Sequence, residues 1–340
     1  MCVFVYVCVC VCVCLLPGLR FIMRQQGSLF SSLLVELAIL VFPNALPPTL
    51  GTSNSLSFLM SWKRGARCQA EDRDRLFSQM PCWGPKVTKT HLGRLESCPE
   101  TVLSQLLRPT ILSRYDIALV QEVRDSDFSA VSELMERLNS ASEHSYAYES
   151  SEPLGRENYK EMYLFIYRTD SVTPLEKYQY SNKDSAFSRA PFIVKFSTPG
   201  SKEDELILVP LHTPPSDAVA EIDALYDVYL KVIDKWGTDN MMFLGDFNAD
   251  CSYVGKNDWA SIRLRSSEVF KWLISDDTDT TVGDSDCAYD RIVVSGAKLR
   301  NWIKPNSAKV YNFQSTFKLS QEQALAVSDH FPVEVTLKSQ

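Results

Sequence analysis

Met241-Met242-Phe243-Leu244-Gly245-Asp246-Phe247-Asn248-Ala249-Asp250 sets the frame for the rest of the chain. Its four leading apolar residues are too few for a helix and read as a buried strand. The run stops at a glycine and gives way to polar residues. Asp246 and Asn248 stand two apart, so on an extended chain they project from the same side. Both offer hard oxygen atoms suited to Mg²⁺, to a metal-bound phosphate or to orienting a water. Gly, Asp and Asn are also ordinary turn formers, and this segment alone leaves both readings open.

Other segments repeat the pattern. Residues 115–123 (Tyr-Asp-Ile-Ala-Leu-Val-Gln-Glu-Val), 162–167, 206–212, 291–295 and 331–337 are short apolar runs that read as strands. Residues 128–138 place Val131, Leu134, Met135 and Leu138 at helical spacing. Residues 217–236 predict a long amphipathic helix with Val219, Ile222, Leu225, Val228, Tyr229 and Val232 on one face. Strands punctuated by helices, with polar residues just past strand ends, predict a layered α/β sandwich whose site lies at one sheet edge.

Three more strand ends carry chemistry. Ser328-Asp329-His330-Phe331-Pro332-Val333 joins a carboxylate to an imidazole that exchanges protons near neutral pH. Gln121-Glu122-Val123-Arg124 puts a carboxylate at a strand end with a cation behind it, and Pro210-Leu211-His212-Thr213 ends an apolar strand in histidine. Each has an ordinary structural reading by itself. Together they hold two of the chain's four histidines and several carboxylates. Phosphodiester hydrolysis needs a cation to neutralise phosphate, a base for water and an acid for the leaving oxygen, and this set supplies the residues for each. Cys–His metal spacing is lacking, which speaks against a zinc site. No Gly-x-x-x-x-Gly-Lys loop is present, which speaks against an ATPase or kinase.

Bulk properties narrow the field further. At 340 residues the chain is long for one domain, and its formal net charge is −7. That argues against a protein that holds nucleic acid mainly by a basic surface, since such binding relies on many Lys/Arg–phosphate contacts. Local arginines and bound cations must do that work instead. The texture divides the chain into an atypical region, 1–100, and a regular α/β region, 101–340. Residues 7–14 alternate Val and Cys without a polar partner, which matches a strand period but also what a TG dinucleotide repeat encodes. Met23-Arg24 followed by the apolar run 29–42 is similar to a secretory signal, although Glu36 interrupts it. Only Cys251 and Cys287, of ten cysteines, lie in the regular region. A disulfide and two buried thiols both remain open for that pair.

The chain from about Leu112 to Lys338 resembles the deoxyribonuclease I family. The resemblance is carried by Leu112-Ser113-Arg114-Tyr115-Asp116-Ile117-Ala118-Leu119-Val120-Gln121-Glu122-Val123-Arg124-Asp125 and by Glu152-Pro153-Leu154-Gly155-Arg156 leading to Tyr159-Lys160-Glu161. It continues through Ala220-Glu221-Ile222-Asp223-Ala224-Leu225-Tyr226-Asp227-Val228-Tyr229, residues 245–254, Cys287-Ala288-Tyr289-Asp290-Arg291-Ile292-Val293 and residues 328–335. It implies a four-layered α/β/β/α sandwich of the endonuclease/exonuclease/phosphatase type that nicks double-stranded DNA through its minor groove. Glu122 would bind the catalytic Mg²⁺ or Mn²⁺, with Asp246, Asn248 and Asp329 positioning metal, water and phosphate. His212 and His330 would be the acid–base pair, Asp290 orienting His212 and Glu161 orienting His330. Arg124, Tyr159 and Arg189 would contact DNA, and Tyr289 the phosphate. Cys251 and Cys287 fall on the family's structural disulfide. Asp279, Thr281 and Ser285 fall on a structural Ca²⁺ loop.

The same resemblance exposes departures. The family's first strand carries Ala-Phe-Asn-Ile, whose Asn helps hold the catalytic metal, and no such motif stands upstream of Leu112. Losing that central strand would open its neighbours' edges and remove a ligand. A catalytically impaired product is thus one alternative; a phosphoesterase for inositol phosphates, sphingomyelin or abasic DNA is another. The second Ca²⁺ loop, 180–190, lacks the family's small extra disulfide and has Ala190 where an acidic ligand is usual. Glu149 and Ser150 replace apolar positions on the actin-holding surface, so weak or absent actin binding is expected. The expected product is a secreted monomer without membrane insertion.

Overall fold

The computed structural model of the chain describes residues 2–7, 56–58, 100–156, 158–198 and 201–338. All belong to one compact unit, Met1–Val11 with Ser53–Gln340; the second unit, Cys12–Thr52, lies outside the described residues. The Val-Cys alternation past Val7 and the signal-like segment lie outside them too.

Two sheets form the centre. The first has the order β12 (Lys309–Val310), β13 (Val333–Thr336), β1 (Cys2–Val7), β3 (Ile117–Val123), β5 (Met162–Arg168) and β4 (Tyr146–Ser150), with β2 (Leu56–Phe58) also paired to β13. The second runs β10 (Lys271–Trp272), β11 (Asp290–Val294), β9 (Met241–Asp246), β8 (Ser201–His212), β7 (Phe192–Thr198) and β6 (Thr173–Gln179). Helices α1 (Glu100–Leu112) and α2 (Ser129–Ala141) add buried Leu103, Leu107, Ile111, Val131 and Leu138 to a core shared with the first sheet. Helix α3 (Ala218–Trp236) packs Ile222, Leu225, Val228 and Val232 onto the second. The result is an α/β/β/α sandwich, as expected from the sequence. Each such buried side chain is worth about 1.5–3 kcal/mol.

Local chemistry explains the element ends. Helix α3 stops at Gly237, whose φ of 68° is open to glycine and whose N–H bonds the Ile233 carbonyl. It connects β8 to β9, which run parallel from Ile207↔Met241 to His212↔Asp246, and parallel strands need such a crossover. The register brings His212 and Asp246 side by side. Helix α1 is not among the helices expected from the sequence; Pro109 lies inside it, and proline usually ends a helical pattern. The four-residue spacing of Leu103, Leu107 and Ile111, all fully buried, outweighs that local cost.

The expected open edges are corrected by the structure. Strand β1 lies between the neighbours that the missing strand would have exposed. It pairs parallel with β3, Val3↔Ile117 through Val7↔Gln121, and antiparallel with β13, Cys2↔Thr336 through Phe4↔Glu334. A strand slot asks only for extended, β-favouring residues, and Cys-Val-Phe-Val-Tyr-Val meets that demand. It contains no asparagine.

Candidate active site

The carboxyl ends of β3, β8 and β9 meet at one place, and each delivers a side chain by a different local device. Strand β3 carries a bulge: its pairing with β5 shifts between Val120↔Leu164 and Val123↔Met162, so Gln121 and Glu122 together oppose Tyr163. Bulges re-aim side chains, and here Glu122 adopts φ 56°, a conformation that costs a non-glycine residue energy and clusters at functional sites. Asn248, at φ 47°, is another residue of the site in this conformation. Its backbone N–H bonds Asp246 Oδ1 at 2.8 Å and its side-chain amide donates to the Thr213 carbonyl at 3.0 Å.

Both histidines are buried, and each has a carboxylate behind it. His212 Nδ1 lies 2.8 Å from Glu161 Oε2, leaving Nε2 facing Glu122 Oε1 and Asp246 Oδ2, each at 3.8 Å. His330 Nδ1 lies 2.8 Å from Asp290 Oδ2. The sequence-based pairing is therefore reversed: Glu161 serves His212 and Asp290 serves His330. The reason is topological. Glu161 precedes β5, whose Tyr163 hydroxyl accepts the His212 backbone N–H at 3.0 Å. Asp290 opens β11 beside residues 280–282, where Thr280 Oγ1 accepts its N–H and Thr281 bridges His330.

The electrostatics follow from burial and pairing. Burial lowers the His212 pKa and Arg189 works the same way, but Glu161 and then Asp246 outweigh both and raise it. Burial likewise opposes the charged His330 ring, yet Asp290, Asp246 and Asp329 hold it well above the ordinary range. Burial would raise the Glu161 carboxyl, but His212 and Arg189 hold it down at about 2. Asp246 is pushed up, first by burial and then by the neighbouring Asp290 charge.

Asp246, Asp290 and His330 place one ligand atom each within 4.8 Å of one another. Two buried carboxylates at that distance favour a cation between or beside them. Glu122 and Asn248 add oxygen donors, and half-buried Asp329 stands next to His330. The carboxylate and amide oxygens of this set fit Mg²⁺ or Mn²⁺.

The remaining expected residues divide by exposure. Tyr159 is 47% exposed, and the Arg124 guanidinium lies 4.3 Å from its ring centroid. Tyr289 stacks on His330 at 6.0 Å and on Tyr253 at 5.3 Å. Arg189 is buried instead; its Nε donates to the His212 carbonyl at 3.0 Å and lies 3.3 Å from Glu161 Oε2. Cys251 and Cys287 form a disulfide. In the expected Ca²⁺ loop, Asp279 Oδ1 accepts from the Thr281 N–H and hydroxyl, and the Ser285 hydroxyl donates to Thr281 Oγ1 at 3.0 Å. That loop is tied to the site, since Val282 N–H donates to the Asp329 carbonyl and Phe331 N–H to the Thr280 carbonyl, each at 2.8 Å. The 180–190 loop is closed by Asn182, whose side chain bonds the Phe187 backbone twice, while Ala190 is buried.

Sequence reasoning missed four supports. Tyr163 holds the His212 backbone and donates to the Arg189 carbonyl. Thr213 Oγ1 donates to the Phe247 carbonyl at 3.0 Å. Arg291, fully buried beside Trp259 and Trp272, donates to the carbonyls of Ala249, Ala288 and Ile274 and pairs with Asp276. It thereby ties together the loops after β9 and before β11. Gln121 is the fourth. Arg291 gave a signal, a charge inside an apolar strand; Tyr163 and Thr213 look like ordinary strand residues.

The chain has similar known proteins. A model described as the Endonuclease/Exonuclease/phosphatase family matches residues 101–330. The chain is 68% identical over 229 residues to Deoxyribonuclease-1-like 2 of Mus musculus, covering 67% of this chain and 82% of that protein. It is 57% identical over 235 residues to Deoxyribonuclease-1 of Gallus gallus, covering 68% and 83%. Among solved structures, D. rerio TDP2 complexed with single strand DNA product aligns with a TM-score of 0.51 at 16% identity, over 72% of this chain and 95% of that one. That last likeness concerns the fold alone.

Proposed function

Because the chain belongs to the endonuclease/exonuclease/phosphatase family, and its sequence relatives are deoxyribonucleases, we propose that it nicks double-stranded DNA through the minor groove in a divalent-metal-dependent hydrolysis. As a member of that group it is a DNA-hydrolysing enzyme. The observation that carries the mechanism is the pair of buried histidine–carboxylate couples, Glu161–His212 and Asp290–His330, around Asp246. One imidazole takes the proton of the attacking water. The other returns a proton to the oxygen that leaves as the P–O bond breaks. Glu161 and Asp290 fix each ring's orientation and raise its basicity. Glu122, Asp246, Asn248 and Asp329 would hold Mg²⁺ or Mn²⁺, which when bound neutralises phosphate charge.

Arg124 and Tyr159 present a cation and an exposed ring to the groove, and Tyr289 stands beside His330 for the phosphate. Arg189 acts through His212 and Glu161, because its Nε is already bonded there. Asp279, Thr281 and Ser285 would hold Ca²⁺ and steady Asp329 and His330 through the backbone. The protein works as a secreted monomer; the Cys251–Cys287 disulfide suits an oxidising compartment. Among the described residues no helix is long and apolar enough to cross a membrane.

A second reading rests on β1, which fills its slot without an asparagine. Metal affinity would then be reduced and cleavage impaired. Supercoiled plasmid incubated with the full chain, Mg²⁺ and Ca²⁺ is expected to become nicked circles before linear DNA. An absence of nicking, reversed by replacing β1 with a strand bearing Ala-Phe-Asn-Ile, would instead establish the impaired reading. Actin affinity is expected to be weak or absent, since β4 is an edge strand whose Glu149 pairs with Lys177 at 2.7 Å. A nanomolar complex in an actin titration would contradict that.

A further inference from the structure

Gln121 is fully buried, and its side chain spans from the first sheet to the ends of two strands of the second. Its Nε2 donates to the Leu211 carbonyl at 2.8 Å, and its Oε1 accepts the Asp246 N–H at 3.0 Å. The backbone partners fix the amide's orientation, because a carbonyl only accepts and an N–H only donates. The next residue along β3 is Glu122, the next after Leu211 is His212, and Asp246 is itself bonded. One carboxamide therefore touches the strand positions that deliver three site residues. Gly245 belongs to the same contact. A Cβ there would sit 1.8 Å from the Leu211 carbonyl oxygen and 3.0 Å from Gln121 Nε2.

The bulge places Gln121 for this task. Gln121 and Glu122 oppose Tyr163 as a pair, and the Tyr163 hydroxyl accepts from His212 N–H at the same strand end. Met offers similar length with neither hydrogen bond, and Glu offers two acceptors but no donor when ionised. We propose that Gln121 is a positioning residue: its carboxamide clamps the ends of β8 and β9 to β3 and so sets the separation of Glu122, His212 and Asp246. This rests on the hydrolytic reading of that site. Misplacement of reacting groups by about 1 Å costs about a hundredfold in rate, so the effect falls on turnover more than on DNA binding.

The test uses the full chain with Gln121→Met, and Ile117→Val as a core control on the same strand. Gln121→Met is expected to remain folded, to lower kcat about a hundredfold with KM within about threefold, and to speed hydrogen exchange of the Asp246 amide relative to that of Leu244. Ile117→Val is expected to lower the melting temperature while leaving kcat within about twofold. A Gln121→Met protein that keeps kcat within about threefold, or that retains Asp246 amide protection, overturns the clamp. So does one that is unfolded at assay temperature, since Gln121 would then hold the fold and not the site. Wild-type protein that fails to nick plasmid counts against the hydrolytic reading; the amide exchange still judges the clamp.

Discussion

Replacing His212 or His330 by alanine is expected to lower DNA cleavage by about a hundredfold to ten-thousandfold with the fold intact. Both rings are buried and each is held through Nδ1 by a carboxylate, so neither is replaceable by solvent. The carboxylates allow a sharper test. In metal-free protein, Glu161→Gln is expected to lower the His212 pKa and leave that of His330 nearly unmoved, while Asp290→Asn does the reverse. The sign follows from removing the negative partner that favours the imidazolium. Histidine ring titrations by NMR read both shifts directly. If Glu161→Gln moved His330 instead, the sequence-based pairing would be restored and the geometry described above would be wrong. Near-normal cleavage by either alanine variant removes that residue from the chemistry.

That reversal shows where the sequence stops being informative. His212 and His330 were legible as candidates because each borders an apolar run, whereas Glu161 and Asp290 were named only by the family resemblance. Which carboxylate meets which imidazole depends on two sheets folding face to face, and no spacing along the chain encodes it. The long elements were legible for the opposite reason: their apolar periodicity is local, as in α3 and in β9. Gln121 fell between the two cases. It was visible beside Glu122, but its clamp needs Leu211 and Asp246, 90 and 125 residues away. Strand β1 illustrates the separation of fold from function. Any extended, β-favouring segment satisfies the backbone of the central slot, whereas a metal ligand must be one residue type at one position.

Asp246→Asn is expected to change stability and activity in opposite directions. Asp246 is buried with Asp290 as neighbour, and its pKa is raised above the unfolded value. A carboxyl with a raised folded pKa binds its proton more tightly in the native state. The charge therefore costs stability as pH rises past the unfolded pKa near 4 and through the raised value. Asparagine keeps an acceptor for the Asn248 N–H, now bonded to Asp246 Oδ1, but carries no charge. In chelator at pH 7 the variant should melt about 2–4 °C higher for each kcal/mol relieved, and the difference should close near pH 4. Adding Mg²⁺ should reverse the order, because only the wild type gains the full stabilisation of a bound ion. Cleavage should fall about a thousandfold, as loss of a cation worth several kcal/mol implies. Lower stability of the variant in chelator at pH 7, or cleavage within about tenfold of wild type, would show that Asp246 is not the buried metal-facing charge. Opposite signs would explain why a costly carboxylate pair persists at the junction of two sheets: the repulsion that weakens the empty site is what makes it bind a cation.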